Sequence, residues 1–433
     1  MHGKLVTPLI ILMLVLFTSC ANKTMPESTQ PKAAQPEATP IATQPYTTHI
    51  ATLPETTPIG TNKAGTPRND DIMEKLNDMT LEEKIGQLVM VGVEGKTLDS
   101  DIKELVVKHY VGGVILFKKN IKSATQAAAF INSIKEVNSV NKLPIFISVD
   151  EEGGRITRMP DEFRKIPSAR DIGKKNDENL SYGIGSAIGN MIGQMGFNMD
   201  FAPVLDINSN PLNKVIDDRA SGSEPDIVKR LGVSTMKGIR SRNIIPVVKH
   251  FPGHGDTTVD SHMGLPVVDY DLERLQNFEL IPFAEAIQND ADAVMIAHIL
   301  MKKIDEDYPA SMSYKVVNDI LRDNMGFKGV VVTDDLTMGA IEKNFNIDDA
   351  AVKSFNAGCD ILLVCHGYDK ELRVIEALKR AVENGTISKK RIDESVYRII
   401  ELKAKYGLTD TRSNNIDIKG INQEIERVLE EGK

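Results

Sequence analysis

Tryptophan is absent from the 433 residues, and aromatic residues make up only 5% of the chain. That argues against a protein that grips long polysaccharides on exposed aromatic platforms, while leaving a deep polar sugar pocket open. Cysteine is scarce: three residues cannot build a disulfide scaffold. Basic residues are in deficit, with 52 Lys and Arg against 61 Asp and Glu and a formal net charge of −9. A non-specific nucleic-acid binder needs the opposite balance. What is present is length, ample for a full hydrophobic core. It allows two or three domains, or one large α/β domain with appendages.

The first residues read as an address. A basic Lys4 precedes an apolar run over residues 9–17, too short to span a bilayer. It fits the apolar region of a signal peptide. Leu16-Phe17-Thr18-Ser19-Cys20 resembles a bacterial lipoprotein cleavage box, with Phe17 where Leu is usual. The expectation is a signal over residues 1–19 and a lipidated Cys20 that anchors an exported protein to the membrane. Residues 21–68 hold 8 of the 20 Pro and 11 Thr, with almost no large apolar residues. Such a segment cannot bury enough surface to repay its ordering entropy, so 20–68 reads as an anchor plus a semi-extended tether.

From residue 69 the pattern is globular. Apolar, β-branched runs at 86–93, 111–117, 144–150, 197–204, 244–250, 293–299, 329–334 and 360–365 alternate with helical patterns, among them 123–137, 180–195, 225–239, 271–288 and 369–384. Continuous apolar strands imply burial on both faces, as in parallel sheets. Eight alternations predict a single (β/α)8 TIM barrel over 69–408, closed by a helix near 392–408. A charged tail with one short helix at most is expected over 409–433.

Barrel active sites lie at the C-terminal ends of the strands. Four predicted strands end in charged groups there: Asp150-Glu151-Glu152-Gly153-Gly154-Arg155 with Arg158 beyond, Lys249-His250, His298, and Asp334-Asp335. Residues 249–262 hold three of the eight His. One reading makes His250, His254, Asp256 and His262 metal ligands, although Pro252, Gly253 and Gly255 make the stretch a loop and not a helical His-x-x-x-His site. The other makes Asp260 and His262 a dyad. In an extended loop, i and i+2 point to the same side, and a carboxylate beside an imidazole prepares it to give and take a proton. His298 reads as a pocket wall or a satisfied core residue. Cys359 and Cys365, about 20 Å apart on an extended strand, read as packing residues.

The segment from Lys249 to His262 resembles the signature of family 3 glycoside hydrolases, and more narrowly the bacterial β-N-acetylhexosaminidases of the NagZ type. Further matches run in order along the barrel: Asp150 to Arg155 with Arg158, Phe201 to Asp206, Asp218-Arg219, Ala293 to His298, Thr333 to Met338, and the closing helix. The resemblance implies a retaining exo-β-N-acetylglucosaminidase that removes terminal N-acetylglucosamine from peptidoglycan fragments or related glycans. Asp334 would be the nucleophile that forms a covalent glycosyl-enzyme, with the Asp260–His262 dyad as acid/base. Asp150, Arg158, Arg219, Lys249 and His250 would hold the sugar. No cofactor or metal is implied, and a monomer is expected. The alternatives are a β-glucosidase, a β-xylosidase or a glycoside phosphorylase on the same fold, a metal-dependent barrel hydrolase using the His250–His262 cluster, and a non-catalytic surface lipoprotein.

Overall fold

The computed structural model describes residues 69–257 and 259–432. The expected signal, Cys20 anchor and tether therefore lie outside the described residues.

Eight parallel strands form the core: β1 (Val89–Val91), β2 (Gly113–Ile115), β3 (Phe146–Val149), β4 (Met199–Asp200), β5 (Ile245–Phe251), β6 (Ala293–Ile296), β7 (Val330–Thr333) and β8 (Leu362–Val364). Each pairs in parallel with the next in sequence, and β1 also pairs with β8. A parallel bridge between Val332 and Ile361 joins β7 to β8, so the sheet closes on itself. This is a (β/α)8 barrel, and every expected strand is present, though the ladders are shorter than the apolar runs. Gly86 and Gln87 fall instead in the helix Leu81–Gln87, whose start is fixed by a reciprocal Thr80–Glu83 capping box.

The helices follow local signals. Ser123, Asp177 and Ser388 cap Ala124–Asn138, Glu178–Met195 and Lys389–Lys405 with side-chain oxygens, and Pro225 opens Pro225–Arg240. The helix expected over 271–288 is two helices, Leu272–Asn277 and Ile281–Gln288. Pro282 explains the break. It has no N–H and its ring would meet the carbonyl of residue 278, so it is tolerated only in a first turn. The expected charged tail is also more ordered than its composition suggested. Ile418–Glu431 is a helix that buries Ile421, Ile425 and Val428 and packs on Glu178–Met195.

The N-terminal face of the barrel is held by buried ion pairs. Asp360, just before β8, accepts from Arg322 Nη2 (2.6 Å), Ser395 Oγ (2.6 Å), Arg398 Nη1 (3.0 Å) and Val331 N (3.0 Å). These bonds fasten the β7–β8 seam, where the ladder itself is thinnest. The opposite face is left to the loops.

Candidate active site

The C-terminal mouth of the barrel opens into a cavity of about 300 Å³. Asp150, Arg158, Arg219, Lys249, His250, His262 and Asp334 all line it, and Asp260 stands behind His262. Every residue singled out in the sequence for catalysis or sugar contact is thus at one place, carried there by the ends of β3, β5 and β7 and the loops after β4 and β5.

One wall is a charged network. Lys249 Nζ donates to Asp150 Oδ1 and lies against Glu152 Oε1, both at 2.7 Å. Arg219 grips Glu152 with two bonds, of 2.9 and 2.8 Å. Burial alone would push Lys249 down, but the Asp150 and Glu152 carboxylates hold its ammonium above the usual range. Burial likewise opposes ionisation of Glu152, yet Arg219 and Lys249 keep its carboxyl far below normal. Lys249, Glu152 and Arg219 therefore stay ionised. Arg158 Nη2 reaches Asp150 Oδ2 at 3.6 Å, so Asp150 is shared by two cations.

His250 is oriented from behind. Its Nδ1 lies 2.6 Å from Asp206 Oδ2, and Asp206 is fully buried. Burial raises the Asp206 pKa, but His250 outweighs it and the carboxyl sits below its ordinary value. An ionised Asp206 makes Nδ1 the donor. Nε2 is then the acceptor, and it receives Arg219 Nη2 at 3.2 Å. Asp206 also accepts the His254 N–H at 2.6 Å, which fixes the start of the loop. Gly255 lets that loop press against residue 207, since a Cβ there would stand 1.7 Å from the Ile207 carbonyl oxygen.

The other two groups face this wall. Asp334 accepts the Asp335 N–H at 2.9 Å. Burial would protonate it, but His298, His250 and that N–H hold it below the usual carboxylate value, hence ionised. His262 Nδ1 lies 2.9 Å from Asp260 Oδ1, which also accepts the His262 N–H at 2.9 Å. Burial raises the Asp260 pKa, but these two bonds win and keep its carboxyl ionised. A charged Asp260 accepts a hydrogen bond from Nδ1–H and leaves Nε2 as the proton-transfer atom.

His254 and His298 are satisfied inside the fold. His254 is buried, with Thr257 at Nδ1 (2.7 Å) and Ser261 at Nε2 (3.3 Å); burial, aided by His250, lowers its pKa to about 4. His298 is satisfied by Ser311 and the Asp335 carbonyl. The loop imidazoles thus turn to separate partners, and among the described residues no three His, Cys, Asp or Glu side chains are placed to hold a metal. Asp335 accepts from Thr337 N, Thr337 Oγ1 and Cys365 N, a set of bonds that ties two loops together. Cys359 and Cys365 are both free and buried.

Sequence reasoning passed over Glu152, Asp206, Phe117 and His366. Phe117 and His366 stack at 5.3 Å between ring centroids on the cavity wall, with the Arg158 guanidinium 6.0 Å from the Phe117 ring. Nothing local marks these two, which come from the ends of β2 and β8. Glu152 and Asp206 stood in noted motifs, but their partners lie on other strands.

The family model described as the glycosyl hydrolase family 3 N terminal domain matches residues 80–402. The chain belongs to glycosyl hydrolase family 3. It is 34% identical over 333 residues to beta-hexosaminidase A of Pseudoalteromonas piscicida, covering 71% of this chain and 56% of that protein. The chain thus spans little more than half of that relative's length. With beta-hexosaminidase of Methylobacillus flagellatus it shares 33% identity over 307 residues, 70% of this chain and 86% of the relative. The solved family 3 β-N-acetylglucosaminidase from Paenibacillus sp. str. FPU-7 superposes with a TM-score of 0.77 at 38% identity, covering 82% of this chain and 69% of that one.

Proposed function

We propose that this family 3 hydrolase is a retaining exo-β-N-acetylglucosaminidase. The observation that carries the reading is the shared cavity: an ionised Asp334 and an Asp260-backed His262 converge on it beside a wall of paired charged side chains. Relatives named beta-hexosaminidase support the same reaction class.

In the reaction, the terminal sugar rests on Asp150, Arg158, Arg219, Lys249 and His250. A carboxylate accepts from ring hydroxyls, while Arg and Lys donate to hydroxyl and carbonyl oxygens. Asp334 attacks the anomeric carbon and His262, protonated on both ring nitrogens, delivers its Nε2 proton to the departing oxygen, giving a glycosyl-enzyme, a free alcohol and a neutral imidazole. His262 then removes a proton from water, which attacks the same carbon and releases Asp334 with net retention. An imidazole carries no negative charge in either protonation state, so it does not repel an anionic nucleophile or anionic wall substituents, as an ionised carboxylate would.

The natural substrate is N-acetylglucosamine at the end of peptidoglycan fragments or related glycans. The enzyme acts as a monomer, outside the cytoplasm, held to the membrane by lipid on Cys20. A comparison of aryl β-N-acetylglucosaminide with aryl β-glucoside, each with and without phosphate, tests the chemistry. Preference for the acetamido sugar with no phosphate requirement is expected. Equal rates on the two sugars overturn the specificity, and sugar 1-phosphate as product makes the enzyme a phosphorylase. Cys20→Ala should move the protein from the membrane fraction to the soluble fraction, and gel filtration should give the mass of one chain.

A further inference from the structure

The loop that carries Asp260 and His262 is tied to the chain that follows Asp334. Ala340 N donates to Ser261 O at 2.9 Å, and Lys343 Nζ donates to Met263 O at 2.6 Å. The His262 peptide lies between these anchors. Its carbonyl oxygen is 2.5 Å from where a Cβ on residue 339 would stand, so only glycine fits there without displacing it. The His262 side chain is 67% exposed and, among the described residues, its hydrogen bonds go only to Asp260, two residues away in its own loop. No other described residue hydrogen-bonds the imidazole, so its position over the cavity comes from its backbone.

We propose that Gly339 and Lys343 are positioning residues for the acid/base: they set His262 against Asp334 by fastening the His262 peptide to the segment that begins at the nucleophile. The inference rests on the roles given to Asp334 and His262 above. It explains how two groups from different strands keep a fixed relation. The β7 end delivers Asp334, and the chain just beyond it receives the loop from β5. Asp260 moves with His262, because Met263 N and Gly264 N both donate to the Asp260 carbonyl and close the turn. A displaced loop therefore keeps its dyad intact and loses only its placement. Misplacement by about 1 Å can cost on the order of 10²-fold in rate.

The test measures kcat/KM, which reports glycosylation, on two substrates of full-length enzyme. One is the β-1,4-linked N-acetylglucosamine disaccharide, whose leaving group needs a proton. The other is dinitrophenyl β-N-acetylglucosaminide, whose leaving group does not. Gly339→Ala should lower the disaccharide value by roughly 10²-fold and the dinitrophenyl value by less than about threefold. The pH–rate profile should keep its limbs, because the dyad is unchanged. Lys343→Met removes one exposed donor and should shift the same ratio in the same direction, by less. Placed on His262→Gly, Gly339→Ala should cost nothing further on the disaccharide. Equal losses on both substrates, a loss that persists without His262, or unchanged ratios in both variants would each overturn the proposal. If His262→Gly itself spares the disaccharide, the acid/base assignment fails. If His262→Gly shows the selective loss and the position 339 and 343 variants do not, the positioning role fails alone.

Discussion

Glu152→Gln isolates the charge that the cavity wall depends on. The Glu152 side chain is 5% exposed and neutralises two buried cations at once, Arg219 and Lys249. Glutamine keeps the shape but leaves Lys249 with Asp150 alone and Arg219 with no ion-paired carboxylate among the described residues. Removing one partner of a buried pair costs about 3–5 kcal/mol. An unfolding entropy of about 2.1 cal/mol/K per residue, over about 360 described residues, makes each kcal/mol worth roughly 1.3 °C. The expected fall in Tm at pH 7 is therefore about 4–7 °C. Glu94→Gln is the control. Its pair with Lys119 is 70% and 39% exposed, which solvent screens to about 0–1 kcal/mol, so Tm should move by roughly 1 °C at most. The pH dependence has a definite sign. The Glu152 carboxyl is held below its ordinary value of 4.5 in the folded state, so its stabilisation is complete above that pH and drains away as pH falls beneath it. The Tm gap between wild type and variant, followed by calorimetry, should be widest near neutrality and narrow below pH 4.5. A gap under about 1 °C at pH 7, or one that grows on acidification, refutes the electrostatic account.

Other expectations are independent of that one. His254 titrates at about 4 in the fold against an ordinary 6.5, so the unfolded chain takes up its proton first. Stability should fall by about 3 kcal/mol as pH drops from 6.5 to 4, and His254→Gln should flatten that limb of the Tm–pH curve. Asp334→Asn should reduce kcat/KM by at least about 10⁴-fold, and mass spectrometry of wild type trapped with a slow fluorinated glycosyl donor should place the adduct on the Asp334 peptide. Asp335→Asn exchanges one acceptor for a donor among three buried bonds, so its main effect should be a stability loss of about 1–3 kcal/mol in denaturant titration. Burial pushes the Cys359 thiol up to about 12, so thiol reagents at pH 8 should leave its peptide unlabelled until the protein is unfolded.

The barrel was legible because the strands are largely apolar runs and many of the helices have a side-chain cap or a proline at their start. What the sequence misjudged was local competition. Pro282 broke a helix that hydrophobic spacing alone would continue. The 409–433 segment read as a charged tail with one short helix at most, yet Ile421, Ile425 and Val428 form one apolar stripe, met by the helix Glu178–Met195. At the site, motif residues were readable as types suited to sugar and proton chemistry, but their division of labour was not. In Asp150-Glu151-Glu152, the first carboxylate lines the cavity and the third neutralises Arg219 and Lys249. The second lies beneath the mouth, accepting from Arg158 N and Thr157 Oγ1, with its own pKa raised to about 7 by burial.

By itself, then, the sequence determined the fold class, the family and most of the charged residues at the mouth. Periodicity, strand ends and a dense loop motif are local properties that need no partner to be read. Only the tertiary structure decided which of those groups are charged and where each one points. Asp206 behind His250, Glu152 between two cations, Phe117 against His366, and Gly339 beneath His262 are pairings between segments far apart in the chain. Their consequences depend on burial and on distances of a few ångströms, and both exist only once the barrel has closed.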